Sequence, residues 1–213
     1  MQQLCGYETV IRGSSPFCSS DLFSQDEWLS FEYMNDIMYF YNTGYASEQL
    51  SGTLGLPWVN ASANALLSDD ADQDLYVSFT HRELPPTVVV AMGLFNNSAY
   101  SGANDPNATM PLDRPNHGRV WRASRILPFL SNIAIEKMTC DSYGFDEGDY
   151  FRVLVNKDPQ QLTCVDGPGG SCSKSAFGDF IQEKNARFDG FTELCEPEYS
   201  NSTDVLSIYS SDE

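Results

Sequence analysis

The most constraining stretch of this chain lies near its middle. Leu75-Tyr76-Val77-Ser78-Phe79-Thr80 is rich in β-formers and bounded by turn-forming residues, which predicts a strand. It runs without a spacer into His81-Arg82-Glu83. Pro85 and Pro86 then open an apolar run to Leu94, and proline is favoured in the first turn of a helix. The predicted strand therefore empties directly into a helix. In open α/β folds, that junction is where ligands bind.

Other elements are legible around it. Ser24 and Glu27 form a capping-box pattern. Trp28, Phe31, Met34, Met38 and Tyr41 follow at helical spacing up to Gly44, so a helix is expected with that stripe as its core face. Residues 45–56 are Gly- and Ser-rich and read as a loop, and Trp58 to Leu67 reads as a helix entered through Pro57. The acidic run 68–74 lacks the Gly and the terminal Glu of a calcium loop and reads as a solvated turn. Residues 96–118 form a long Asn/Pro/Gly-rich loop. Phe129–Met138 and Phe151–Asn156 are strand-like, and Ser173–Asn185 is a last helix. Residues 5–18 read as a short polar loop, which a disulfide between its ends would stabilise by about 3 kcal/mol. The cluster Gly167-Pro168-Gly169-Gly170 between Cys164 and Cys172 lacks the Lys-Ser/Thr of a phosphate loop and reads as a disulfide-closed turn. From Glu196 onward an acidic, Ser-rich tail is expected to fray.

Charge narrows the function classes. Thirty acidic residues against 12 basic ones give a net charge of −18, which argues against nucleic acid and anionic membranes. No apolar run is long enough to span a bilayer. A composition that is 41% hydrophobic and 13% aromatic supports a real core rather than a disordered chain. The six cysteines form no Cys-x-x-Cys pair, and neither histidine lies near a cysteine cluster, so no structural zinc site is expected. An even cysteine count with wide gaps and four glycosylation sequons, at Asn60, Asn96, Asn107 and Asn201, suggest a secretory protein. Residues 1–5 have neither the basic nor the apolar region of a signal peptide. Either the chain is intracellular or it starts part-way through a longer secreted protein.

The best candidate site is His81-Arg82-Glu83. A helix N-terminus favours anions. A His that can become cationic and an Arg can hold an oxyanion, and a Glu can protonate a leaving group. The competing reading is a hydrogen-bonded structural histidine. Arg119, Arg122 and Arg125 recur every three residues and could face an anion, but salt bridges suit an acidic protein better. His117 reads as a solvated loop residue.

Several short segments, in order, resemble the C-terminal half of fungal histidine acid phosphatases, including phytases. They are Phe17-Cys18-Ser19-Ser20-Asp21-Leu22-Phe23 ahead of Glu27-Trp28, Phe79-Thr80-His81-Arg82-Glu83, Glu136-Lys137-Met138-Thr139-Cys140, and Arg152-Val153-Leu154-Val155-Asn156 leading to Cys164. The resemblance implies a three-layer α/β domain with a helical cap. The domain would span residues 1–195, with 24–44 in the cap and 56–165 mainly in the α/β part, followed by the tail at 196–213. In that family a histidine of an Arg-His-Gly-x-Arg-x-Pro motif attacks phosphorus, and a later His-Asp or His-x-Glu group binds phosphate and supplies the acid. The resemblance therefore implies phosphate binding by His81, proton donation by Glu83 and a substrate contact by Arg82, which stands where the common form has Asp.

The nucleophile motif is absent. Asn116-His117-Gly118-Arg119 is a near-match that lacks the leading Arg and the Pro, and it lies after the acid rather than before it. The resemblance also implies disulfides Cys5–Cys18 and Cys164–Cys172, with the partners of Cys140 and Cys195 in an N-terminal half. The combined expectation is a C-terminal portion of a secreted acid phosphatase that hydrolyses phosphate monoesters, phytate among the candidates, through a phosphohistidine. It would be inactive alone, would need no cofactor or metal, and would be completed by the missing N-terminal half. A mis-predicted start, an incomplete transcript and a degenerate relative are alternative origins. A non-catalytic secreted glycoprotein or binding domain reusing the fold is the second function, and a carboxylate glycosidase using Glu83 is a third, without motif support.

Overall fold

The structure is a computed structural model that describes residues 1–69, 73–97, 106–141, 143–195, 201 and 203–209. Eight helices occur among those residues: α1 (Gln2–Arg12), α2 (Gln25–Thr43), α3 (Glu48–Leu67), α4 (Leu84–Ala91), α5 (Pro106–Thr109), α6 (Ala123–Ile126), α7 (Lys174–Phe188) and α8 (Phe191–Cys195). The strands are β1 (Ile133–Cys140), β2 (Gly148–Val155), β3 (Asp158–Gln160) and β4 (Cys172–Ser173). β2 is central and antiparallel to all its partners, with β1 along one side and β3 and β4 along the other. The fold is mixed α/β, but its sheet is a small antiparallel meander.

Pleating divides β2 between its two faces. Phe151, Val153 and Val155 are buried, while Arg152 meets Glu136 directly across the ladder at 2.7 Å. Phe177 of α7 stacks flat on Phe151, with ring centroids 4.9 Å apart. α3 packs beside α7 and α4 through two glycines. A Cβ on Gly52 would lie 2.4 Å from the Phe188 ring, and one on Gly55 would lie 2.2 Å from the Thr87 carbonyl oxygen. Val59, Ala63, Val88, Val89 and Val90 complete this contact in the core.

That packing explains one departure from the sequence reading. The Gly- and Ser-rich stretch expected to be a loop is the first half of α3, which begins at Glu48 and carries Pro57 inside it. Glycine disfavours an isolated helix, but here its lack of a side chain admits a neighbouring backbone, and tertiary contact overrides propensity. Residues 2–12 likewise form a helix rather than a polar loop. α1 has no buried residue, and the Cys5–Cys18 disulfide ties it down.

α2 begins at the expected capping box, with both reciprocal Ser24–Glu27 bonds present. Its buried face is different from the one expected. Met34 and Met38 are exposed, whereas Tyr33, Asp36 and Phe40 are buried. Asp36 disguised that stripe, because an aspartate at a core position reads as a surface residue until its partner is known. The segment 75–80 also departs from expectation. It lies outside any strand and joins no ladder among the described residues, leaving Leu75, Val77 and Phe79 exposed. α4 and α7 lie where the sequence put them.

Candidate active site

The turn that joins the 75–80 segment to α4 gathers the three expected residues. The Leu84 amide donates to the His81 carbonyl, closing the turn, and Pro85 and Pro86 occupy the first turn of the helix. His81 Nδ1 lies 2.8 Å from Glu83 Oε2. Arg82 Nε donates to the other carboxylate oxygen, Oε1, at 3.4 Å. Both oxygens of Glu83 are thus engaged by its own neighbours. The bond to His81 chiefly holds the Glu83 carboxyl below the ordinary carboxylate range, and the Arg82 bond adds to it. The Arg82 guanidinium also lies over the Tyr39 ring of α2, 5.8 Å from its centroid.

All three side chains are open to water, at 83% for His81, 70% for Arg82 and 53% for Glu83. A ligand can therefore reach them directly. Tyr39 is the member that sequence reasoning missed. It lies off the stripe read as the core face of its helix, and only the fold brings it beside Arg82.

The other cationic candidates do not join this group. Arg119 is buried, with Nε on Asp36 Oδ2 at 2.5 Å and Nη2 on Glu32 Oε2 at 3.0 Å. Arg122 donates to the carbonyls of Arg119 and His117. His117 is an exposed loop residue. A cleft of about 520 Å³ between the β1–β2 loop and the start of α7 is lined by Asp146, Glu147, Asp149, Asp166 and Lys174, a charge balance that repels an anionic ligand. Among the described residues, no group of three or more His, Cys, Asp or Glu side chains could hold a metal ion.

Both expected cysteine pairs are bonded, Cys5 with Cys18 and Cys164 with Cys172. Cys140 and Cys195 are free thiols. Of the sequon asparagines, Asn96 and Asn201 are exposed and Asn107 lies in α5. Asn60 is half-buried in α3, where its Nδ2 donates to Asn185 Oδ1 at 2.6 Å. No helix among the described residues is long and apolar enough to cross a membrane.

Residues 1–156 match the profile of the histidine phosphatase superfamily (branch 2). The chain belongs to that family. The branch 2 assignment agrees with curated relatives. The thiamine-repressible acid phosphatase pho4 of Schizosaccharomyces pombe is 32% identical over 97% of this chain and 43% of its own length. Phytase PHO112 of Candida albicans is 31% identical over 90% of this chain and 38% of its own. The crystal structure of the phytase from D. castellii superposes with a TM-score of 0.72 at 22% identity, covering 97% of this chain and 41% of that one; the likeness is one of fold. This branch 2 chain therefore spans about two-fifths of the length of the relatives it matches.

Proposed function

We propose that His81, Arg82 and Glu83 form the phosphate-binding and proton-donating side of a phosphomonoesterase site. The observation that carries this reading is the engagement of both Glu83 oxygens by neighbouring donors, at a helix start, in a member of the histidine phosphatase family. An incoming phosphate monoester competes with the carboxylate for His81 and Arg82. When the anion takes those donors, Glu83 loses what keeps it ionised and gains a negative charge beside it. Both changes raise its affinity for a proton. The carboxyl then gives that proton to the leaving oxygen as the ester P–O bond breaks and an attacking imidazole bonds to phosphorus. Water afterwards hydrolyses the phosphohistidine. Arg and His supply the positive charge that stabilises the transferring group, and low pH favours both the imidazolium and the protonated acid.

No Arg-His-Gly-x-Arg-x-Pro sequence occurs in these 213 residues. The attacking imidazole is therefore assigned to the part of the family domain that lies outside these residues. The exposed side chains of Leu75, Val77 and Phe79 support a contact with that part of the domain, since clustered apolar surface favours burial against a neighbour. The two disulfides favour an oxidising, extracellular setting. Within this reading residues 24–44 belong to the cap and 56–165 mainly to the α/β part.

The test is reconstitution. The 213-residue chain alone should leave p-nitrophenyl phosphate intact. A mixture with a polypeptide carrying the nucleophile motif should hydrolyse it, and should lose most of that activity with Glu83→Gln. Robust hydrolysis by the chain alone, abolished by changing His117 and unaffected by changing His81, would overturn the proposal. The absent motif also favours a second reading, a non-catalytic secreted protein that keeps the fold; it requires that no companion polypeptide restores turnover.

A further inference from the structure

The far end of the chain reaches the segment that carries the candidate site. The Tyr209 ring stands edge-on to Tyr76, with centroids 5.4 Å apart, and its hydroxyl donates to Ser78 Oγ at 3.1 Å. Trp58 Nε1, on α3, donates to the same oxygen at 3.0 Å. A serine oxygen has two lone pairs, and here both are used. The C-terminal segment is itself anchored, because the Asp204 carboxylate accepts from the Thr192 amide at 2.6 Å and from the Thr192 hydroxyl at 3.2 Å.

Tyr76 and Ser78 both touch Tyr209, and Ser78 also touches α3; Ser78 stays exposed, as do Leu75, Val77 and Phe79. No ladder among the described residues fixes this backbone, so side-chain contacts must do so. Ser78 lies three residues ahead of His81, so the placement of one constrains where the other can lie.

We infer that Ser78 is a positioning residue: held by Trp58 of α3 and by Tyr209 of the C-terminal segment, it fixes the backbone that leads into the His81–Glu83 turn. The C-terminal segment thereby acts as a strap behind the candidate site. The functional part of this inference rests on the site reading above; the geometric part does not.

The experiment uses the whole 213-residue chain as wild type, Tyr209→Ala, Tyr209→Phe and Trp58→Phe. Two quantities are followed by NMR: amide exchange over residues 76–81 and the titration of the Glu83 carboxyl carbon. Tyr209→Ala should speed exchange at those amides by about tenfold or more and move the Glu83 titration up toward the ordinary carboxylate range. Tyr209→Phe, which keeps the ring against Tyr76 but removes the hydroxyl that donates to Ser78, should fall between wild type and Tyr209→Ala in both. Trp58→Phe, which removes the second donor, should act in the same direction. The thermal midpoint reports whether each variant is folded. Unchanged exchange in both Tyr209→Ala and Trp58→Phe would overturn the strap. Faster exchange with an unmoved Glu83 titration would overturn the positioning role. Inorganic phosphate that leaves the wild-type His81 resonances in place would sink the site reading instead, without touching the exchange result.

Discussion

Two arginine–carboxylate clusters meet the same helix. At one, Asp36 and Glu32 of α2 hold Arg119; at the other, Tyr39 of α2 lies under Arg82, which reaches Glu83. The first is sealed, with the Arg119 side chain 3% exposed and that of Asp36 0%. The second is open to water along all three side chains. The residue types are nearly the same, and solvent access decides what they do. In the sealed cluster each guanidinium nitrogen of Arg119 has an internal acceptor: Nη1 takes the Asn116 carbonyl beside the two carboxylates, and Asp36 accepts the Ala123 amide as well. A sealed pair joins α2 to the 116–123 segment and has nothing left to exchange. An open pair is held weakly enough to be exchanged for a ligand.

The largest effect that should separate the two clusters comes from Asp36→Ala. It leaves the Arg119 charge buried without its closest partner and should cost about 3–5 kcal/mol in urea unfolding. Replacing Asp36 and Arg119 together with Leu and Met should recover a large part of that loss. Glu83→Gln should leave the unfolding midpoint where it was. If Glu83→Gln proved as damaging as Asp36→Ala, the open cluster would be structural too.

A middle-sized effect is expected from Gly55→Ala. The added methyl meets the Thr87 backbone of α4, so one helix must move, at about 1–3 kcal/mol of overpacking. α4 follows directly on Glu83, so this change should also weaken inorganic phosphate binding, although Gly55 touches no site residue. Lost stability with unchanged phosphate affinity would mean that the open cluster is set independently of α3–α4 packing, leaving the strap as its main support.

The same contrast marks what the sequence revealed. His81, Arg82 and Glu83 were readable because they are adjacent in the chain and sit before a proline-led helix. The capping box of α2 and the strand alternation around Phe151 were readable for the same reason, since each is local. The core face of α2 was not, because Asp36 becomes a core residue only when Arg119 arrives from 83 positions away. The first half of α3 was not, because the partners of Gly52 and Gly55 lie in distant segments. Tyr39 and Ser78 belong to this second class, for nothing in their neighbours foretells Arg82 or Tyr209. The sheet expectation failed for a related reason: the 75–80 composition suits a strand, yet a strand needs a partner edge.

The smallest effect is the most specific. Without ligand, the bond from His81, helped by Arg82, keeps Glu83 ionised below the ordinary carboxylate range. A carboxylate whose folded value is depressed supports the fold above its unfolded value, and that support fades as pH falls through the lower folded value. For a side chain this open the contribution is slight, so unfolding curves are a poor probe and direct titration is needed. Inorganic phosphate should compete for His81 and Arg82 and lift the Glu83 midpoint toward the ordinary carboxylate range, while chloride at matched ionic strength should not. The Asp36 signal should ignore both salts, because no anion reaches it. A Glu83 midpoint indifferent to phosphate would mean that its pairs are as closed as those of Arg119. The contrast between a sealed joint and an exchangeable site would then reduce to a difference in burial alone.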